Sequence, residues 1–119
     1  MTSQSPILIK FDDFKFAVEQ IPKMKRSPAG AKGVIPTDTI LSPDHGGIVV
    51  DTPVVGTFVK ASGPWTITAS VDARKLIELC ERIKKLGATG HEIEIRSIQR
   101  DLWLRFNTTK FSIPTLWIK

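Results

Sequence analysis

The feature that most narrows the folds open to this chain is an order of elements that it runs through twice. ILIKF at 7–11 alternates apolar and polar residues with the two-residue period of a strand. Asp12 or Asp13 can cap a short helix through Ile21, in which Phe14, Ala17, Val18 and Ile21 form one apolar stripe, and Pro22 ends it. The stretch 23–36, rich in Gly, Pro and Lys, reads as a loop. TDTIL (37–41), IVVD (48–51) and VVGTFVKA (54–61) then read as antiparallel strands, with a turn at SPDHGG and a bulge expected at Gly56. In the second half WTITAS (65–70) alternates as a strand and Ser70 offers an N-cap, while Asp72 suits the positive end of a helix dipole. The helix is expected over 71–86, stopping at Gly87. HEIEIRS (91–97), DLWLRF (101–106) and KFSIPTLWI (110–118) follow as strands of strict alternation, Ile93 and Ile95 inward, Trp103 and Arg105 on the face opposite Leu102, Leu104 and Phe106.

Strand, helix and three strands thus occur over about 7–61 and again over about 65–118. The fold this predicts is α+β: a duplicated β-α-β-β-β unit with its two helices packed on one face of antiparallel sheet, closing one core. A length of 119 residues fits a single domain. If the halves mirror each other, strands 54–61 and 110–118 are equivalent and fall at opposite edges of the sheet.

Charge is the second constraint. The net charge is +5, which bears on a polyanionic partner only where the cations cluster. They cluster twice: in KMKRSPAGAK, with Lys23, Lys25, Arg26 and Lys32, and on the second helix, with Arg74, Lys75, Arg82, Lys84 and Lys85. At about 100° per residue, Ala73, Leu76, Ile77, Leu79, Cys80, Ile83 and Leu86 share one side of that helix. Arg74, Lys75, Arg82 and Lys85 share the other with Glu78 and Glu81, and Lys84 falls near a boundary. Two readings of this face stand side by side. In one it is solvated, with Glu78–Arg82 and Glu81–Lys85 as ordinary ion pairs four residues apart. In the other it tracks a phosphate backbone without regard to base sequence.

The doubled order, together with particular residues, resembles a domain of the DNA sliding clamp, the processivity factor of polymerases. It is most similar to the first domain of the bacterial DNA polymerase III beta-subunit type. TITASVDARKLIELCERI is similar to the clamp segment in which a strand leads into a helix reading val–x–ala–basic–lys–leu. DLWLRFNTTKFSIPTL is similar to the clamp hairpin that ends in phe–x–ile–pro–thr–leu, and ILIKFDDFKFAVEQI fits the first strand and helix. The resemblance runs from about 7 to 117; between Pro28 and Gly47 the chain drifts from the pattern, with VIPTDTIL a loose substitute. What it implies is a non-catalytic, DNA-associated protein that contacts duplex DNA through basic helix faces, as a processivity factor or ring subunit in DNA replication. Arg74, Lys75, Arg82 and Lys85 would approach the phosphates, and Lys23, Lys25 and Arg26 would touch them at the rim. A clamp chain of that type carries three such domains, so this one-domain chain would encircle DNA as a homohexamer or by joining another clamp. Its ring contacts would pair strands 54–61 and 110–118, with a monomer as the other expectation. The alternative function is a protein-interaction module of the same fold that binds replication proteins and not DNA.

Other chemistry finds little footing. His45 falls in a hairpin turn and His91 opens a strand, and neither shares a motif with Cys80 or a serine. No HExxH, P-loop, GxSxG or metal-spaced cluster occurs, so no catalytic residue, metal or cofactor is expected. Cys80, the lone cysteine, reads as a small buried hydrophobe. No apolar run reaches the length of a membrane span. MTSQSPILIKFDDF lacks the basic-then-apolar pattern of a secretory leader, and a cytoplasmic protein is the expectation.

Overall fold

The structure is a computed structural model, and it describes residues 6–20, 38–52 and 55–119. Among the described residues it is an α+β fold of eight antiparallel strands and two helices. The first half contributes β1 (Ile7–Lys10), α1 (Phe11–Val18), β2 (Asp38–Asp44), β3 (Gly47–Asp51) and β4 (Gly56–Ser62). The second contributes β5 (Ala69–Asp72), α2 (Ala73–Lys85), β6 (Glu92–Ile98), β7 (Asp101–Phe106) and β8 (Thr109–Ile118). The strands close in the order β1-β4-β3-β2-β5-β8-β7-β6. Two antiparallel ladders stitch the halves together, β1 with β6 through Ile7↔Ile95 and Ile9↔Ile93, and β2 with β5 through Thr39↔Val71 and Leu41↔Ala69.

This closure corrects the expectation that 54–61 and 110–118 are edge strands. β4 lies between β1 and β3, and β8 between β5 and β7. Each changes partner along its length. Gly56–Lys60 pairs with β3 while Ala61 and Ser62 pair with β1, and 109–114 pairs with β7 while 115–118 pairs with β5. Among the described residues, 56–60 and 109–113 therefore each keep one side without a strand partner. What remains of an edge is half a strand at each place, where β4 and β8 change partner.

Alternation does its expected work in β6 to β8. Ile93, Ile95, Leu102, Leu104 and Ile113 are buried, while Trp103, Arg105 and Lys110 lie on the other face. Both helices supply the same core: Phe11, Phe14, Ala17 and Val18 from α1 and Leu76, Leu79, Cys80 and Ile83 from α2 join the strand residues in one cluster. α1 and α2 also pack against each other, α1 over β4 and α2 over β5 and β8. Leu86, expected on the apolar stripe, is instead 46% exposed, because the helix has already ended and Leu86 serves as its C-cap.

Local expectations shift in four places. α1 begins at Phe11 with Lys10 as its N-cap, so neither Asp12 nor Asp13 caps it, and it ends at Val18. Asp12 instead accepts a hydrogen bond from the Gly90 N–H at 3.1 Å, and the Phe11 N–H donates to the His91 carbonyl at 3.0 Å. Together they fasten α1 to the loop between α2 and β6. Gly56 is no bulge: it stands in regular register opposite Asp51, and the irregularity falls between Ser70 and Val71, where β5 meets β8. Finally, the strand expected at 65–70 is displaced to 69–72, so Ser70 is inside β5 and cannot cap α2. Trp65 is buried ahead of it.

The cap of α2 is Asp72, whose carboxylate accepts from the backbone N–H groups of Arg74 at 2.8 Å and Lys75 at 3.2 Å. This satisfies two of the orphan donors of the first turn and opposes the helix dipole. Asp72→Ala is expected to cost about 1 kcal/mol of stability, and Asp72→Asn, which keeps the acceptor, much less. Urea unfolding followed by circular dichroism measures both.

Candidate nucleic-acid interface

α2 carries its buried stripe on Ala73, Leu76, Leu79, Cys80 and Ile83, which fixes its other face toward solvent. Arg74, Lys75, Arg82, Lys84 and Lys85 are all exposed there, with Glu78 and Glu81 as the acidic residues among them. The expected ion pairs do not close. The ion pairs between the described residues are Lys15–Glu19 at 2.8 Å, Arg96–Glu94 at 3.0 Å and Arg105–Glu94 at 3.8 Å, and neither Glu78–Arg82 nor Glu81–Lys85 is among them. Lys75, Arg82, Lys84 and Lys85 therefore give this solvent-facing side of α2 an excess of positive charge over Glu78 and Glu81. Arg82, Lys84 and Lys85 also lie in the last turn, where cations complement the negative end of the helix dipole.

The resemblance implies contact with DNA through basic helix faces, and α1 departs from that. The outer side of α1 exposes Asp12, Asp13 and Glu19, with Phe16 among them at 62% exposure. Lys15, the one cation in this set, is engaged by Glu19, and the hydrogen bond it donates there raises its pKa above the ordinary lysine range. Only one of the two adjacent helices can attract phosphate. The acidic character of α1 is readable in FDDFKFAVE. Lys23, Lys25 and Arg26 lie outside the described residues.

Cys80 faces the core, almost wholly buried. Burial chiefly, and then the carboxylate of Glu19, push its thiol up to about 12, so it is a neutral packing group at ordinary pH. His45 lies in the β2–β3 turn, its backbone N–H donating to Asp44 at 2.7 Å. The ring of His91 lies 5.9 Å from that of Phe106. Among the described residues no group of three His, Cys, Asp or Glu side chains could hold a metal ion, and no helix is long and apolar enough to cross a membrane.

One further cluster escaped the sequence reading. Cross-strand register puts Glu94, Arg105 and Lys110 in one row and Arg96, Trp103 and Ser112 in the next, on the outer face of β6, β7 and β8. Alternation placed Trp103 and Arg105 together on that face, but only the register of three strands brings Arg96 and Lys110 to them. No protein-family model matches the chain, and no curated protein matches it either.

Proposed function

We propose that this chain is a sliding-clamp-like, non-catalytic DNA-associated domain that contacts duplex DNA without base specificity through the exposed face of α2. The observation that carries this is the open cationic surface of α2, with Arg82 and Lys85 unengaged by the carboxylates four residues away. Such a face meets phosphates as charge alone, so the contact is sequence-blind and sensitive to salt. The clamp-like reading of the fold has its support in strand order. β1-β4-β3-β2 and β5-β8-β7-β6 place the first, fourth, third and second strand of each half in the same sequence, with α1 and α2 side by side. A head-to-tail ring would use the half-strands 56–60 and 109–113, whose outer sides have no strand partner among the described residues.

A second reading is favoured by α1. Its acidic, Phe16-bearing side repels phosphate and suits a protein partner, as in an interaction module that binds replication proteins and leaves DNA alone. Light scattering, combined with retention on circular and linear duplexes at two salt concentrations, separates the two. A hexamer held on circular DNA supports an encircling clamp, and a monomer held equally by both forms at low salt supports simple docking. A monomer indifferent to either duplex at low salt leaves the protein-binding module.

A further inference from the structure

The outer face of β6–β8 lies across the sheet from the buried face that receives the core, and it carries a site of different chemistry. A pocket of about 180 Å³ is lined there by Glu94, Arg96, Ile98, Trp103, Arg105 and Lys110. Arg96 and Arg105 both reach the carboxylate of Glu94, at 3.0 and 3.8 Å, so that one acid holds two guanidiniums beside the indole. Counting Lys110, three cations face one carboxylate, leaving an excess of positive charge around an aromatic ring.

The three tryptophans are not equivalent. Trp65 is buried. Trp117 already has the Lys119 ammonium 5.6 Å from its ring centroid. Trp103 sits in the middle of its row, between Arg96 on β6 and Ser112 on β8, and lines the pocket. The backbone beneath it is fully laddered, β7 being paired on both sides, so no peptide can add here as a strand and recognition must run through side chains.

We infer that this face is a platform for single-stranded nucleic acid, with a base stacked on Trp103 and the flanking phosphates held by Arg96, Arg105 and Lys110. A duplex is excluded from this mode because its bases are stacked on one another and only their edges are exposed. An unpaired strand offers both the π-face that an indole takes up and the phosphates that a cationic rim attracts. The site is separate from the α2 face: one is an aromatic platform on a sheet, the other a helix bearing charge alone. A protein with both could hold the paired and the unpaired strand of one nucleic acid.

The test is fluorescence anisotropy of a labelled oligo-dT against the full chain and its variants. Trp103→Ala is expected to weaken binding about ten-fold or more, and Trp103→Phe, which keeps a ring, to retain most of it. Lys110→Ala is expected to weaken binding and make it less sensitive to salt. Lys75→Ala with Arg82→Ala and Lys85→Ala on α2 should leave the Trp103 dependence intact while lowering duplex binding. Circular dichroism checks that each variant is folded. Oligo-dT binding that ignores Trp103→Ala overturns the inference, as does a labelled polyglutamate peptide that binds in a Trp103-dependent way where oligo-dT does not. Loss of oligo-dT binding only in the α2 variant also overturns it, by assigning the strand to the helix.

Discussion

Gly47→Ala is expected to destabilise the domain by about 3 kcal/mol, near the top of what overpacking a tight site costs. A Cβ built on Gly47 would stand 2.2 Å from the carbonyl oxygen of Val59 and 2.9 Å from the ring of Phe58. The ring can turn aside, but the carbonyl belongs to β4, which pairs with β3 from Gly47↔Lys60 to Asp51↔Gly56. Relief therefore requires the two strands to part. β3 and β4 also bear Ile48, Val50 and Val59 of the core, so parting them loosens packing as well as hydrogen bonds. The control is Gly56→Ala at the other end of the same ladder, where the nearest atoms are side-chain atoms at 3.5 Å and the change is expected to be mild. Urea unfolding of both variants should show a large drop in midpoint for the first and a small one for the second. On thermal unfolding the first amounts to a fall of about 10 °C for a domain of this length.

The second large effect depends on pH. The thiol of Cys80 has a pKa pushed up to about 12 in the folded protein, chiefly by burial, against an ordinary value of 9.0 once the chain unfolds. Below pH 9 both states keep the proton and the group is neutral with respect to pH. Between about 9 and 12 the unfolded chain releases it and the folded chain does not, so unfolding is favoured increasingly as pH rises. One pKa unit corresponds to about 1.4 kcal/mol, so roughly 4 kcal/mol of stability disappears across that window. Lys15 acts in the same direction at the alkaline end: its raised pKa adds stability below its ordinary value of 10.5 that is lost as pH climbs through the folded value. Cys80→Ala removes the thiol's part. It should lower stability at pH 7 through the cavity it leaves, and it should flatten the decline above pH 9. Stability measured by urea from pH 7 to pH 10 for both chains reads the difference in slope. Parallel curves would mean that the thiol is hydrated in the folded state.

Local pattern carried some of these features and could not carry others. The period-two alternation of 92–106 fixed which side of β6 and β7 is buried, since Ile93, Ile95, Leu102 and Leu104 have no other way to leave water. The apolar stripe of α2 likewise settled which way Arg82 and Lys85 point. WTITAS alternates just as well, yet only Ala69 onward lies in β5. Alternation reports an extended backbone and is silent on whether a partner strand is within reach; the ladders of β5 with β2 and β8 run from Ala69, and ahead of them Thr68 and Lys119 exchange backbone hydrogen bonds. The same limit hid the closure of the sheet, because β1 meets β6 and β2 meets β5 across the two halves, far apart in sequence. Asp12 shows how a local rule can lose to a distant partner. Its position invites a capping role, but its carboxylate is taken by the Gly90 N–H, 78 residues away. The basic side of α2 and the acidic side of α1 are both legible in their residues, whereas the grouping around Trp103 depends on the register of three strands.

The most direct measurement is the slope of log K against log salt for duplex DNA, taken on the wild-type chain and on one carrying Lys75→Ala, Arg82→Ala and Lys85→Ala. If α2 lies along the phosphates, the wild type binds at about 50 mM salt with a steep negative slope. The triple variant, still folded, should show a slope shallower by about 3, since each phosphate contact contributes close to 0.9. Equal slopes for the two chains, or no duplex binding by the wild type at low salt, would contradict the assignment of this face to DNA.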